Sequence, residues 1–583
     1  MNQFKQVLQK HWMAIVLAVL TSVIVASPQI FFRFEHRDDG IYQGIELLPD
    51  SPWSARAREV QDGHPNFGNI YQKDGKDNPY LLQPLGSMVV AYMGEIFSLD
   101  INNTFLLSRF VLSFVVFLLI YGFVFLLSKD KLVALCGATV NLLADSILSR
   151  SGFVQLFFHG VSYENFVRLS KPVNPAMIYF LLFAFLIAFW LFYRKRQWQY
   201  GVASAILLGL NFYNYFYTWT YLYAFGGILV LLFLIQKKWR EAISISSVFL
   251  GAFLVAIPYV VNLYQVTQFP TYLEVSSRIG VLLTHAPLFV GWGVIGSLII
   301  FFLGFPKVDR EKYFFSLALL LTPFITLNQQ LLTGKVMEAP HYHWFFHKPM
   351  AVIFMLIVIF HLLARWRLDF YKKALAVLII VTSISTGIYV QAYSYAHDMG
   401  DGGTVLVERQ KYGPAMRWLN DNAEKEAVVF ANDEVSHITV IYTPLNVFYH
   451  RSTSFASLSA TYARQLNTMF SFYRLEGVGN KDAPDAFAKN RAKVSFESYG
   501  IHYREFLGSH EDIPDEKMAE IVASYQETLS TPTLEWLKNI WTKYEVEYLV
   551  WDRKSDPLWN LDKYKFLTKV AEFGDLAIYR FYP

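Results

Sequence analysis

The sequence predicts a polytopic α-helical membrane protein of about eleven spans, with a C-terminal α/β domain outside the membrane. Of its 583 residues, 54% are hydrophobic and only 17% are charged, whereas about 25% of the residues of soluble domains are charged. Apolar runs of spanning length recur as far as about residue 393 and stop there. We therefore assign residues 1–398 to a membrane domain, whose first outer loop is 33–103, and residues 399–583 to a soluble domain.

Each predicted span is a run of mainly apolar residues, since a bilayer-spanning helix needs about 20 of them. The eleven runs are 12–32, 104–127, 132–148, 176–193, 200–217, 218–235, 242–264, 288–305, 313–327, 349–363 and 374–393. The first run is longer than the apolar core of a signal peptide, so we predict an uncleaved span. The stretch 200–235 has basic clusters at both ends, which requires an even number of crossings, so a turn is expected at 214–219.

The predicted orientation follows from lysine and arginine, which are concentrated in every second connection. Cytoplasmic connections carry this excess, so we predict a multi-pass cell-membrane protein with a cytoplasmic N-terminus and an extracytoplasmic soluble domain. The formal net charge of +4 is small and lies mostly at the ends of apolar runs, which argues against nucleic-acid binding. The single cysteine, Cys136, excludes an intrachain disulfide and a cysteine-based metal site.

Three outer segments are longer or more polar than a connection requires, and such loops are more often functional than connective. In the first outer loop we predict a short helix at 52–62 and an amphipathic helix at 81–97 on the membrane surface. The second segment contains His159 and Glu164. The last segment, 328–348, contains three histidines, one glutamate and the lysine Lys335. Because unpaired charge is costly to bury among apolar spans, we expect the first and last of these loops to converge on one cavity.

The soluble domain has the alternation of strands and helices that is typical of an α/β fold. We predict helical segments at 412–422, 457–475 and 515–544, strands at 427–431, 446–449 and 546–551, and a hairpin at 567–573 and 576–581. This region contains no glycine-rich phosphate loop, no serine nucleophile elbow and no HExxH motif. Its predicted role is therefore recognition or structure rather than chemistry.

Several stretches resemble segments of the GT-C glycosyltransferases. In LLPDSPWSARAREVQDGHPNFGN, the order Asp50, Trp53, Arg56 resembles a helix start of bacterial members; RLSKPVNPAM, NQQLLTGKVMEAPHYH and VVFANDEVSHITVIYTPLNVFYH resemble segments of uncharacterised ones. The whole architecture is also similar to this superfamily, which includes aminoarabinose transferases, protein O-mannosyltransferases and oligosaccharyltransferases. The resemblance implies transfer of a sugar from a polyprenyl-phosphate-linked donor to a lipid, glycan or protein acceptor at the outer membrane face.

The resemblance also implies a catalytic residue, Asp50, the position that matches the acid of the family's first outer loop. Sugar transfer needs a base near the acceptor nucleophile and positive charge near the departing phosphate. The alternative is that Asp50 only caps the helix that follows it. Asp38 and Asp39 are rival acids, although a DDG triplet also forms an ordinary turn. Glu164 is a further candidate acid, but no DxD accompanies it, so we expect a metal-independent reaction and no cofactor.

Five basic or imidazole side chains are candidates for binding the donor phosphate, because such groups supply donors to anionic oxygens. They are Arg278, His285, Lys335, His341 and His343. The alternative for each is an interfacial position without a ligand. A metal site at His341 and His343 lacks a third ligand at a recognisable spacing. A nearby set of aromatic residues suits an interfacial belt or, alternatively, a sugar-stacking platform: Tyr213, Tyr215, Tyr217 and Trp219.

Two other classes of function compete with a transferase. A transporter or lipid flippase places ionisable groups near the bilayer midplane and often shows internal repeats. Here the predicted spans are nearly free of charge except for Asp145, and no repeat is visible. A non-enzymatic assembly or receptor protein that binds through its outer domain is the third class, and a catalytically silent Asp50 favours it.

Overall fold

The structure of the chain, a computed structural model, describes residues 2–46, 51–162, 166–278, 280–398, 404–500, 502–506 and 512–583. Two predicted site residues, Asp50 and Glu164, lie outside the described residues.

The first 398 residues are predominantly helical. The helices are α1 (Asn2–Glu35), α2 (Ser51–Gln61), α3 (Leu85–Ile96), α4 (Ile101–Ser128), α5 (Lys131–Leu143), α6 (Arg150–Val154), α7 (Met177–Lys195), α8 (Trp198–Phe212), α9 (Phe216–Ile235), α10 (Trp239–Val255), α11 (Ile257–Gln268), α12 (Tyr272–Arg278), α13 (Trp292–Gly304), α14 (Arg310–Thr326), α15 (Gln330–Thr333), α16 (Pro340–Tyr342), α17 (Lys348–Arg365) and α18 (Asp369–Tyr393). Short 3-10 or π-type turns connect some of them: Asp145–Leu148, Gln155–His159, Arg168–Ser170, Pro172–Ala176, His343–His347 and Ser394–Asp398. Two short strands, β1 (Val281–Leu283) and β2 (Lys335–Met337), form an antiparallel ribbon between two loops.

The helices confirm a polytopic membrane domain. Among the described residues, seven helices are long and apolar enough to cross a membrane, and α10 with α11, bent by 56°, makes an eighth. The remaining three predicted runs form α5, α8 and α13, which have 13, 15 and 13 residues and are shorter than a full span. All eleven apolar runs are thus helical, and the predicted turn within 200–235 lies at 213–215.

Successive connections of the bundle lie at opposite ends. At one end, which we call the basic end, Arg194 Nη1 lies 2.8 Å from both Asp309 and Glu311, and Lys372 pairs with Asp130. At the other, the loop end, the Lys348 ammonium lies 3.0 Å from the Asp145 carboxylate, to which Arg168 is also paired. The lysine and arginine pattern assigns certain connections to the same side of the membrane. In the structure, these connections lie at the same end of the helix bundle.

The soluble domain is built on a five-stranded mixed sheet of order β4-β3-β5-β7-β6. Its strands are β3 (Val428–Phe430), β4 (Asn446–Val447), β5 (Val546–Asp552), β6 (Leu567–Phe573) and β7 (Leu576–Phe581). Its helices are α19 (Thr404–Arg409), α20 (Gly413–Asn422), α21 (Asp433–Tyr442), α22 (Thr453–Ala456), α23 (Tyr462–Leu475), α24 (Ala483–Lys489), α25 (Arg491–Tyr499), α26 (Tyr503–Phe506), α27 (Asp515–Thr528) and α28 (Thr533–Lys543). Strands β3, β4 and β5 run parallel, while β5, β7 and β6 are antiparallel neighbours.

The two faces of this sheet belong to different cores. Val429 and Ile578 join a core that continues through α20 and α21 into the first outer loop and the helix bundle. Phe430 and Tyr579 face a second core that contains Trp541 of α28. The soluble domain is therefore packed directly on the membrane domain.

The first outer loop holds the edge of the sheet. The Val447 backbone N–H donates to the Tyr71 carbonyl over 2.8 Å, and the Gln72 side chain donates to the Phe448 carbonyl over 3.0 Å. The Tyr71 ring stacks on the His450 ring with centroids 3.8 Å apart. These contacts fix the position of the loop that carries α2 and α3.

Candidate functional site

A cavity of about 550 Å³ lies between the membrane helices and the outer loops, and we call it the central cavity. Aromatic and apolar side chains of α9 and α11 form one wall: Phe216, Trp219, Tyr223, Tyr259, Leu263 and Val266. Loop residues form the other: Tyr80, Leu81, Gln83, Gln329, Thr333, Lys335, Val336 and Met337. The predicted convergence of the first and last outer loops on one cavity is therefore confirmed.

The β1–β2 ribbon explains how Lys335 reaches this cavity. The ribbon pairs Leu283 with Lys335 and Val281 with Met337, so it joins the loop after α12 to the loop before α16. Lys335 is exposed, lines the cavity and takes part in no ion pair with the described part of the chain. A cation in this state is available to an anionic ligand.

The segment before α3 is held by Arg56 of α2. Its guanidinium donates to the carbonyl oxygens of Leu82 and Gln83 over 3.1 and 2.6 Å. It also lies 5.0 Å from the ring centroids of Trp53 and Phe67. Burial lowers the pKa of Arg56 to about 10, so the side chain stays charged at neutral pH. The Trp53–Arg56 pair thus positions a wall of the central cavity.

The start of α3 packs closely against the turn between α8 and α9. The Leu85 backbone N–H donates to the Tyr213 carbonyl over 2.9 Å. A Cβ atom on Gly86 would lie 3.0 Å from Val173 Cγ1 and 3.1 Å from Asn214 Oδ1, contacts that require neighbours to move. Glycine at this position allows the helix to approach the rest of the loop end.

Glu338 is a carboxylate next to the cavity that our sequence reasoning did not single out. Its oxygens lie 2.9 Å from His502 Nε2, 3.4 Å from His341 Nδ1 and 3.3 Å from the Tyr217 hydroxyl. Burial opposes ionisation, but the hydrogen bond from His502 and the two imidazoles outweigh it and keep the pKa of Glu338 below its usual value. The residue also has φ of +27°, a strained value for a side chain with a Cβ, and such strain is concentrated at functional sites.

His341 joins this carboxylate to the turn between α8 and α9 and the start of α9, which we call the aromatic turn after Tyr213, Tyr215, Tyr217 and Trp219. Its Nδ1 lies 2.7 Å from the Tyr215 hydroxyl, and its ring meets the Tyr217 ring edge-on at 5.0 Å between centroids. Trp219 stacks on Phe212 at 4.4 Å and lines the central cavity. The aromatic turn is therefore part of the cavity region. In the sequence, the i, i+3 spacing of Glu338 and His341 was the one pattern that could have indicated that these two side chains interact.

The other candidate phosphate ligands occupy different places. His285 lies against Gly334, next to Lys335, with Nδ1 3.3 Å from the Leu331 carbonyl oxygen. His343 contacts Gly291, on the flank of the loop. These two side chains border the loop that carries Lys335, and neither lines the central cavity.

Arg278 links the loop after α11 to the soluble domain. Its side chain is 2% exposed, is 2.5 Å from Glu274 and donates to the Ala460 and Ser454 carbonyl oxygens. Burial lowers its pKa, partly offset by Glu274. The guanidinium donates to these protein groups. This arrangement is typical of an arginine that stabilises the fold.

Asp38 and Asp39 follow α1 at the surface. Asp39 accepts a hydrogen bond from the Ile41 backbone N–H over 2.9 Å and lies 2.7 Å from His36 Nδ1. The hydrogen bond with His36 lowers its pKa. The Asp38 side chain is 95% exposed. These contacts form a surface turn, which was the alternative interpretation of the DDG triplet.

Glu46 is a second carboxylate that our sequence reasoning missed. It is buried and accepts hydrogen bonds from Arg33, over 2.5 and 2.8 Å, from Gln29 and from Tyr42. Its backbone N–H donates to the Tyr442 hydroxyl of the soluble domain over 2.8 Å. No sequence motif marks it, because Gln29 and Arg33 of α1, Tyr42 and the distant Tyr442 come together around it only in the folded chain.

Within the described part of the chain, no group of three or more histidine, cysteine, aspartate or glutamate side chains could hold a metal ion.

No protein-family model matches this chain, and no curated protein matches it in sequence. Among solved structures, it is similar to the Archaeoglobus fulgidus oligosaccharyltransferase tethered with an acceptor peptide containing the NVT sequon, with 14% identity and a TM-score of 0.47 over 93% of this chain and 69% of that one. It is also similar to archaeal oligosaccharyltransferase AglB from Archaeoglobus fulgidus in complex with an inhibitory peptide and a dolichol-phosphate, with 14% identity and a TM-score of 0.46 over 94% and 70%.

Proposed function

We propose that this protein is a membrane glycosyltransferase that transfers a sugar from a polyprenyl-phosphate-linked donor to an acceptor at the extracytoplasmic face. The central cavity is the observation that carries the proposal, because its two walls match the two halves of such a donor. The aromatic and apolar side chains of α9 and α11 suit an isoprenoid chain, and Lys335 at the loop wall suits a phosphate.

Three groups are proposed to supply what the reaction needs. The ammonium offsets the charge that develops on the departing lipid phosphate. We infer that Glu338, three residues after Lys335 and held as a carboxylate by His502 and His341, orients a hydroxyl or amine group of the acceptor. Asp50 is the proposed general base, in keeping with the resemblance of its surroundings to those of GT-C enzymes, and no divalent metal is required.

The proposed donor site is tested by the variant Lys335→Ala. We expect it to bind undecaprenyl phosphate about tenfold or more weakly than the wild type, since a hydrogen bond to a charged group contributes about 1.5–3 kcal/mol. Native mass spectrometry of the detergent-purified protein measures this affinity. Lys307→Ala, which removes an exposed lysine at the basic end, is the matched control. Unchanged binding in Lys335→Ala would remove Lys335 from the site.

The reaction class is tested with membranes that contain the protein and a radiolabelled polyprenyl-phosphate sugar. A transferase moves the label from the lipid extract to a second molecule. Recovery of the intact lipid donor on the opposite side of the vesicle, with no loss of its sugar, identifies a flippase and contradicts the proposal.

The proposed orientation predicts a specific labelling pattern. In a Cys136→Ala background, Ser530→Cys in the exposed loop between α27 and α28 should react with a membrane-impermeant maleimide on intact cells. Val308→Cys, which is 99% exposed at the basic end, should react only after the membrane is opened. The reverse pattern would invert the topology and place the central cavity near the cytoplasm.

A further inference from the structure

A second cavity, of about 750 Å³, lies outside the central cavity between the first outer loop and the end of α11. We call it the outer groove. Its polar lining includes Asn66 and Asp77 from the loop and Gln265 and Gln268 from α11, and aromatic rings of Tyr264 and Phe269 accompany them.

The outer groove and the central cavity share a wall. Tyr80 and Asn262 line both. The Asn262 side chain accepts a hydrogen bond from the Tyr80 backbone N–H over 3.2 Å and donates one to the Tyr80 carbonyl over 3.0 Å. This pair of bonds joins the first outer loop to α11 at the shared wall, so the two spaces adjoin at Tyr80 and Asn262.

Three polar side chains of the groove are free to bind a ligand. Asn66, Asp77 and Gln265 make no side-chain hydrogen bond within the part of the chain that the structure describes. Amide groups offer both donors and acceptors, and a carboxylate offers acceptors, which together complement the hydroxyl groups of a sugar. Aromatic rings provide flat apolar surfaces for its C–H faces.

The charge of the groove limits the ligand further. None of its lining residues is lysine, arginine or histidine, and Asp77 contributes a negative charge. An anionic ligand is therefore disfavoured, whereas neutral sugars and amino sugars fit.

We propose that the outer groove binds the acceptor, and that the acceptor is a neutral or amino-sugar saccharide. This inference rests on the proposed function, since it assigns the second substrate of the same reaction. An acceptor hydroxyl attacks the anomeric carbon of the donor, the new glycosidic C–O bond forms, and the bond from that carbon to the phosphate oxygen breaks. The hydroxyl proton passes to a carboxylate base, and the polyprenyl phosphate or diphosphate leaves.

The test uses the full chain in lipid nanodiscs on an array of lipid-free oligosaccharides that includes neutral, amino and acidic members. We expect binding to neutral or amino members, reduced about tenfold in a Gln265→Ala/Gln268→Ala variant, since two hydrogen-bonding groups are lost. Gln197→Ala, which removes an exposed amide at the basic end, should bind as the wild type does. A second variant, Asp77→Asn, should weaken binding of amino members more than that of neutral ones.

The inference is overturned by a lack of saccharide binding, by binding only of acidic members, or by binding that the groove variants do not change. Capture of peptides in place of saccharides, lost in the same double variant, also overturns it and assigns the groove to a protein acceptor. Binding of undecaprenyl phosphate is measured in parallel. It should be unchanged in the groove variants, so a failed acceptor site is distinguished from a failed donor site.

Discussion

Asp50→Asn is expected to reduce sugar transfer by about 10²–10⁴-fold, the range for loss of a general base, while the protein still folds and inserts. Asparagine has nearly the shape of aspartate and caps a helix equally well, so a purely structural role survives the change. The substitution removes the negative charge that would accept a proton. Transfer of radiolabel from a polyprenyl-phosphate sugar, normalised to the amount of folded protein, measures the effect.

Asp39→Asn is the matched control for this prediction. Asp39 is the acid whose contacts with His36 and the Ile41 backbone form an exposed turn, so its variant should retain most of the activity. Wild-type activity in Asp50→Asn would take Asp50 out of the mechanism. A severe defect in Asp39→Asn would assign the base to that residue and leave the reaction class unchanged.

The second large effect concerns stability. Arg33→Met should destabilise the fold by about 3–5 kcal/mol, the cost of leaving one member of a buried ion pair alone. The Glu46 side chain is only 1% exposed, and Arg33 supplies two of its hydrogen bonds and a third to the Asn103 side chain over 2.8 Å. The midpoint of thermal unfolding in detergent measures the loss.

Two variants separate charge from packing in this network. Arg37→Met removes an arginine whose side chain is 78% exposed and should change stability by no more than about 0.5 kcal/mol. Arg33→Met combined with Glu46→Gln should recover part of the stability, because no unpaired charge remains buried. An Arg33→Met protein as stable as the wild type would mean that water or a lipid head group replaces the arginine.

The parts of the fold that were predictable from the sequence are those set by local hydrophobicity. The hairpin at 567–573 and 576–581 was predicted with the boundaries of β6 and β7, since a turn separates two runs of strand-forming residues. The eleven apolar runs became helices for the same local reason. The predicted segment 515–544 is interrupted at 529–532, between the end of α27 at Thr528 and Pro532, which caps α28.

What was missed depends on groups that are distant in the sequence or on a cap. No helix was predicted at α21, although Asn432 accepts a hydrogen bond from the Val435 N–H and starts it. The β1–β2 ribbon joins loops about fifty residues apart, and no local pattern predicts its register. The sequence therefore predicted Lys335 as a candidate ligand for the donor phosphate. It did not predict that the β1–β2 ribbon would hold Lys335 at the cavity wall. Glu338 and Glu46 gained importance only from partners brought by the fold.

The 56° bend between α10 and α11 has a consequence for how a lipid could reach the central cavity. Beyond the bend, Leu263 is 45% exposed and also lines that cavity, and the neighbouring Val260 and Val261 are exposed as well. Because Leu263 is both exposed and part of the cavity lining, this face of α11 links the cavity to the outside of the helix bundle. A polyprenyl tail entering there stays in an apolar medium throughout, and avoids the cost of about 0.8 kcal/mol for each CH₂ group brought into water. On such a lateral route only the head group has to reach the loops, and the sugar can remain in water while the tail stays among apolar groups.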